Sequence, residues 1–349
     1  HRRHHGRHTA FWLMQAIVLV GGFGTRLRPL TDTVPKPVLP VGQVPMIVRL
    51  IGQLERGGVD RVTLALGFKP EHFHGVFPGQ HCGDVAVRYA VEPEPLDTGG
   101  AIRFAADAAG VDETFVVANG DVLTDLDLGA LIGFHRRAGA EATVHLTPVD
   151  DPSVYGVVDA DESGRVRQFI EKPAPGTAPS NLINAGTYVM DPSLLSRLPT
   201  GSRTSVERQT FPAVVADGGL YAMATDDYWI DIGRPEAYLR ANLDLLSAPS
   251  PLRRAEAVDP RARLDPSVRV AHSVIGADVT VGAGSLIAGS VLLPGATVGE
   301  HVSIEDSIVM GRVGNGARVS RVVIGQLGDV TEGAHLDGVR VPAPEDTAS

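Results

Sequence analysis

VLVGGFGTRLRPLT at Val18–Thr31, followed by PKPVLPV at Pro35–Val41, is the stretch that decides how this chain folds. The apolar run Ala16–Val20 reads as a buried strand, and Gly21, Gly22 and Gly24 end it abruptly. Without a Cβ, such glycines let backbone N–H groups gather around an anion. Thr25 continues the turn, and Arg26 and Lys36 bring two cations to the same mouth. A strand, a bare-backbone turn and paired cations suit a nucleoside triphosphate. The turn is not a P-loop, because no Gly-Lys-Ser/Thr closes it. Nor is it the dinucleotide fingerprint, since Leu27 stands where a third glycine is needed.

Outward from that turn, strand and helix alternate from Met14 to Leu246, as in a Rossmann-like, doubly wound α/β domain. Met46, Leu50, Ile51 and Leu54 mark one helix, closed by Gly57–Gly58. Arg61–Gly67, Val85–Val91 and Phe115–Ala118 read as strands, and Gly99–Ala109 and Leu128–Ala138 as helices. Ligands of such sheets lie beyond the carboxyl ends of the strands, where the glycine turn and Asn119–Asp121 both fall. Residues 247–266, rich in Pro, Ala and Arg, read as a linker. Beyond it, Ile275, Val281, Ile287 and Leu293 recur every six residues. After a one-residue slip Val298, Ile304 and Met310 continue, and Val313, Val319, Ile324 and Val330 follow less regularly. An aliphatic every six positions with small residues between predicts hexapeptide coils over 267–338, with 339–349 as a tail; a sandwich of short strands is the alternative.

Composition limits the function classes. At 349 residues with 43% hydrophobic content, the chain can bury a large core and divide into two domains. A net charge of −10 argues against nucleic-acid binding and makes any anion affinity local. Cys82 is the sole cysteine, so no intrachain disulfide can form and a reducing cytoplasm is expected. No apolar run approaches the ~20 residues that span a bilayer, so no membrane partner is expected. HRRHHGRHTA followed by FWLMQAIVLV imitates a signal peptide, yet Ala16–Val20 is needed as the strand that carries the glycine turn. Met14 is therefore the expected natural start, with 1–13 a disordered extension whose histidines are no metal site.

GGFGTRLRPLT with PKPVLPV resembles the signature of the sugar-1-phosphate nucleotidyltransferases, the nucleotide-sugar pyrophosphorylases. The resemblance implies an enzyme that joins a nucleoside triphosphate to a sugar 1-phosphate and releases pyrophosphate. It runs from about Met14 to Leu246 and into the repeat region, which resembles the left-handed β-helix appended to many members. Motif order, the DTGGAI segment and the short β-helix most resemble the guanylyltransferases that make GDP-mannose from GTP and mannose 1-phosphate. Asp97 stands where guanylyltransferases of the family often carry glycine. Other pairs remain alternatives: heptose 1-phosphate with GTP, or glucose 1-phosphate with UTP or dTTP. A non-catalytic subunit that senses nucleotide sugar is another, although it should have lost a charged catalytic residue. Arg26, Lys36, Asp121, Lys172 and Asp231 are all present.

Roles follow from the same resemblance. Asp121 in VANGD and Asp231 in YWIDIG match the carboxylates that hold Mg2+, an ion that prefers carboxylate and phosphate oxygens. A helix N-cap and a turn residue are their plainer readings. Arg26 and Lys36 would stabilise the β- and γ-phosphates. Lys172 in FIEKP would meet the sugar phosphate, and Glu171, Asn184 and Gly186 the sugar hydroxyls. Gly99 and Gly100 would let the chain pass flat against base and ribose. Only Lys36, Lys69 and Lys172 are lysines among 31 Lys plus Arg, so this arginine-rich chain keeps an ammonium in both motifs. The attacking phosphate is already ionised, so no general base is required. His272, His301 and His335 are expected to be exposed and unliganded rather than part of an acyltransferase or zinc site. The repeat domain is expected to stabilise the chain and to form a homo-oligomer rather than to catalyse.

Overall fold

The structure, a computed structural model, describes residues 14–22, 24–67, 70–248 and 255–343. The expectations for 1–13, Lys69 and 344–349 lie outside the described residues.

The N-terminal domain is built on a ten-stranded mixed sheet. Met14–Leu19 runs through its middle, parallel to Val59–Leu66 on one side and to Phe115–Asn119 on the other. Because it is covered on both faces, it reads as a continuous apolar run rather than an alternating one. Ile17 joins Ile102, Ala105 and Val117 in one core layer, while Ala16 and Val18 join Leu50, Leu64 and Leu131 in the other. The helices Met46–Arg56 and Leu128–Ala138 cover the second layer and Asp97–Ala109 the first. Val85–Val91 extends the parallel side, and Leu182–Met190 adds antiparallel to Phe115–Asn119. The chain moves outward from Met14–Leu19 on one side, then returns to its other side. The switch point therefore falls between Leu19 and Asn119, which are directly paired. Expected elements agree closely, with Asp97–Ala109 beginning two residues before the helix read from sequence.

The C-terminal region is a left-handed β-helix whose three faces are parallel sheets of five short strands each. Its strands run from Arg263–Leu264 to Arg340–Val341, so the coils begin inside the expected linker and reach into the expected tail. Cα partners one coil apart lie 17 residues apart, as with Ile275 and Leu292, or Ile287 and Ile304. One coil is tightened to 15, from Val309 to Ile324. This corrects two positions of the six-residue spacing. The lumen is filled by Leu292 and Val309 rather than by Leu293 and Met310. Leu293 and Met310 face outward and pack with Val274, Val291, Ile308 and Val323 against Leu27, Leu30 and Tyr238 of the N-terminal domain. One face of the β-helix is thus buried on both sides. His272 and His301 have left-handed backbones, at φ 43° and 57°, and His335 lies exposed on a strand. No three His, Cys, Asp or Glu groups converge on a metal site among the described residues.

Candidate active site

A cavity of about 480 Å3 opens at the switch point, and the glycine turn forms one wall. Gly24 has φ 63°, and a Cβ there would meet the Thr31 methyl at 3.0 Å. Thr31 Oγ1 donates to the Gly24 carbonyl at 2.8 Å and closes the turn. A Cβ on Gly22 would meet nothing within 4 Å, so that stretch of backbone is bare toward the cavity. Thr25 and Arg26 follow it, exposed, on a single 3-10 turn. Gly21, Gly22, Gly24, Thr25, Arg26, Lys36 and Asp121 all line this one cavity.

Pairing brings the two acidic motifs together. The Gly120 amide donates to the Leu19 carbonyl at 2.8 Å, which seats the NGD turn beside the central strand. Trp229–Asp231 is a separate short strand, antiparallel to Val122–Thr124, with Asp231 opposite Val122. The Ile232 amide donates to the Asp121 carbonyl at 3.1 Å. Lys36, only 8% exposed, enters between the carboxylates. Its Nζ lies 2.6 Å from Asp121 Oδ2 and 3.9 Å from Asp231 Oδ1. Burial, then the charge of Asp121, push the Asp231 carboxyl above its ordinary pKa, against Lys36, the Gly233 amide and Arg26. Arg26 reaches across the same corner, since a Cβ on Gly233 would fall 2.8 Å from Arg26 Nη2.

Glu171 ends the strand Val166–Glu171, and Lys172 follows it. Lys172 has φ 51°, its side chain is 58% exposed, and its Nζ lies 3.8 Å from Glu171 Oε1. Burial, then the charge of Glu207, raise the Glu171 pKa, and Lys172 and Arg208 oppose them. Asn184 and Gly186 occupy an irregularity in Leu182–Met190. The Asn184 side chain accepts from the Gly186 amide at 2.9 Å and donates to the Tyr188 hydroxyl at 2.8 Å, so both its ends hold the local backbone and ring. Gly186 has φ 77°, and a Cβ there would strike Asn119 Nδ2 at 2.6 Å.

Gly99 and Gly100 are placed differently from the expectation. Both are buried in the first turn of Asp97–Ala109, and both amides donate to the Thr204 carbonyl. A Cβ on Gly99 would lie 2.9 Å from Thr204 O, and one on Gly100 2.6 Å from Ser202 O. Their bareness admits the Ser202–Val206 backbone, while the neighbours Asp97, Thr98 and Ala101 line the cavity.

Two acidic groups here, Glu92 and Glu207, escaped the sequence reading. Glu92 lines the cavity, is 7% exposed and accepts from the Leu96 amide at 2.9 Å, with its pKa raised by burial. It follows Val85–Val91, so the strand-end rule that found Asp121 also finds Glu92. Asp97 lines the cavity with φ 61°, a left-handed geometry that glycine adopts without steric cost. Glu207 accepts from Thr98 Oγ1 at 2.6 Å and from Ser205 Oγ at 3.0 Å.

A cavity at the switch point, lined by the bare glycine turn, Arg26, Lys36 and Asp121, is the equipment of nucleotidyl transfer. The chain belongs to the nucleotidyl transferase family, whose profile matches residues 15–248, and residues 253–347 match the profile described as GMPPB C-terminal domain. Mannose-1-phosphate guanylyltransferase of Mycobacterium tuberculosis is 41% identical over 247 residues, covering 69% of this chain and 67% of that protein. Mannose-1-phosphate guanylyltransferase 1 of Arabidopsis thaliana is 43% identical over 249 residues, covering 69% and 68%. Among solved structures, HddC from Yersinia pseudotuberculosis is similar over 66% of this chain and 98% of its own, at 31% identity and a TM-score of 0.57. Another crystal structure of it is complexed with GMP-PN, with a TM-score of 0.56.

Proposed function

We propose that this enzyme transfers a guanylyl group from GTP to mannose 1-phosphate, giving GDP-mannose and pyrophosphate. The observation that carries the reaction class is Lys36 set between Asp121 and Asp231 beside the bare glycine turn. The substrate pair rests on the relatives named above, which are mannose-1-phosphate guanylyltransferases. The two carboxylates fit a magnesium site. Asp231 is held in a charged, part-buried setting against Asp121, and Mg2+ typically takes one or two carboxylates and completes its shell with water and substrate phosphates. Mg2+ bound there would offset charge on the phosphates. Arg26 and Lys36 would then stabilise the departing pyrophosphate, whose charge grows in the transition state. Lys172, exposed and free to swing, would meet the phosphate of the sugar, with Glu171 and the Asn184–Gly186 irregularity shaping the sugar subsite.

The single cysteine is free, which suits a reducing compartment such as the cytoplasm. No helix among the described residues is long and apolar enough to cross a membrane. The open ends of the β-helix favour a homo-oligomer. The test is turnover with four nucleoside triphosphates against mannose, glucose and heptose 1-phosphates, read by pyrophosphate release. GTP with mannose 1-phosphate should exceed every other pair at least tenfold in kcat/KM. A preference for UTP or dTTP with glucose 1-phosphate, or for the heptose, would replace the pair. No turnover with any pair would favour a regulatory subunit.

A further inference from the structure

The β-helix touches the catalytic loop Gly24–Thr31. Leu27 and Leu30, fully buried, anchor the Gly24–Thr31 loop in the apolar layer shared with Val274, Val291, Ile308 and Val323. From the last coil, Arg340 Nη1 donates to the carbonyl of Arg26 at 3.1 Å and to that of Arg28 at 2.8 Å. Next to it the coil has no room for a side chain, since a Cβ on Gly325 would lie 2.8 Å from both Cβ and O of Pro29. The loop is therefore gripped from behind over Arg26–Pro29 while the Arg26 guanidinium faces the cavity and Gly233. Two bonds from one guanidinium nitrogen to carbonyls two residues apart hold this stretch of backbone against the coil.

From this contact we infer that Arg340 is a positioning residue for catalysis, which holds the Arg26 backbone so that its side chain meets the β- and γ-phosphates. The β-helix then contributes to turnover through the catalytic loop, beyond its role in stability. The inference rests on the role proposed for Arg26, and the two can fail separately.

Calorimetric binding of GTP with Mg2+, and of GMP, separates them; should the turnover panel select another base, its triphosphate and monophosphate are used. Arg26 serves only phosphates that GMP lacks. Arg26→Ala and Arg340→Ala should each weaken the triphosphate about tenfold and leave the monophosphate within twofold. Arg340→Lys, which keeps a donor, should recover part of the loss, and the double variant should bind no more weakly than Arg26→Ala alone. Gly325→Ala, which pushes Pro29 from the same side, should reproduce the selective loss and decides the matter if Arg340→Ala fails to fold. Arg321→Ala, which removes an ion pair to Asp337 on the same coil, should change neither ligand. Equal weakening of both nucleotides by Arg340→Ala would mark a merely structural contact and overturn the inference. So would additive losses in the double variant. If Arg26→Ala is selective and Arg340→Ala is silent, positioning falls and the role of Arg26 stands. If Arg26→Ala itself spares the triphosphate, both fall.

Discussion

Lys36 Nζ lies 2.6 Å from Asp121 Oδ2, so an ammonium rests on the carboxylate that a divalent ion would also need. The position sets a cation between two acidic groups that otherwise repel, and it opposes the burial and the Asp121 charge that raise the Asp231 pKa. On the proposed reading, a triphosphate bound with Mg2+ would supply both a cation for the aspartates and an anion for the lysine. Lys36→Ala should therefore reduce kcat by roughly 100- to 1,000-fold, on the scale of losing one transition-state donor. Metal binding without nucleotide should tighten, because the competing ammonium is gone. Lys172 is the contrast: its side chain is 58% exposed, and its Nζ lies 3.8 Å from Glu171. Lys172→Ala should mainly raise the KM for sugar phosphate, whose charge exists before reaction. Steady-state kinetics with each substrate varied would exchange the two assignments if the pattern came out reversed.

The metal assignment makes its own demand. EDTA should abolish turnover and Mg2+ restore it, and Asp121→Asn and Asp231→Asn should each remove most of kcat while circular dichroism stays native. The antiparallel pairing of Trp229–Asp231 with Val122–Thr124 carries Asp231, begins next to Asp121 and does not depend on the charge of either. Near-wild-type kcat in both variants would place the metal elsewhere.

Much of this was legible because local pattern and fold agree. The glycine turn and the NGD aspartate each sit at a strand end, the PKP lysine opens the 3-10 turn Lys36–Val38, and the register of Leu19 with Asn119 puts the strand ends side by side. The partnership of Asp121 with Asp231 depends on a pairing between strands about 100 residues apart, which no period encodes. Glu92 belongs to no spacing pattern, and its meaning comes from burial at the cavity wall. Leu293 and Met310 misled for a different reason. Their face of the β-helix is covered outside as well as inside, so Leu292–Leu293 and Val309–Met310 offer two apolar neighbours, and the period cannot choose between them.

Asp97 and Gly99 stand two residues apart, and their substitutions should behave oppositely. Asp97→Gly replaces a residue held at φ 61° by the one most tolerant of it, losing only the hydrogen bond from the Thr98 amide. Stability should stay within about 1 kcal/mol of wild type. Removing a carboxylate from a cavity that takes a polyanion should also lower the KM for the triphosphate. Gly99→Ala puts a methyl 2.9 Å from Thr204 O and should cost about 1–3 kcal/mol. Urea unfolding measures both, and a larger loss for Asp97→Gly than for Gly99→Ala would contradict the placement of this turn.

His145 should make the protein acid-sensitive above the usual carboxylate range. It is fully buried on Ala142–Pro148, with Nε2 2.8 Å from Thr225 Oγ1 and no partner for Nδ1 among the described residues. Burial lowers its pKa to about 4, and burial likewise lowers that of His135 to about 4. The unfolded chain takes up these protons near pH 6.5 and the folded chain only near pH 4. Stability is therefore fully present above about pH 6.5 and declines as pH falls toward 4, by about 1.4 kcal/mol per unit for each histidine. The raised carboxylates Glu92, Glu171 and Asp231 act with the opposite sign, since their folded forms resist ionising as pH rises. Subtracting the profile of His145→Gln from that of the wild type cancels them and isolates the histidine. The difference between pH 7 and 5 should approach about 2 kcal/mol in favour of the variant at the acid end. Parallel profiles for the two proteins over that range would show that His145 is charged, or reached by water, in the folded chain.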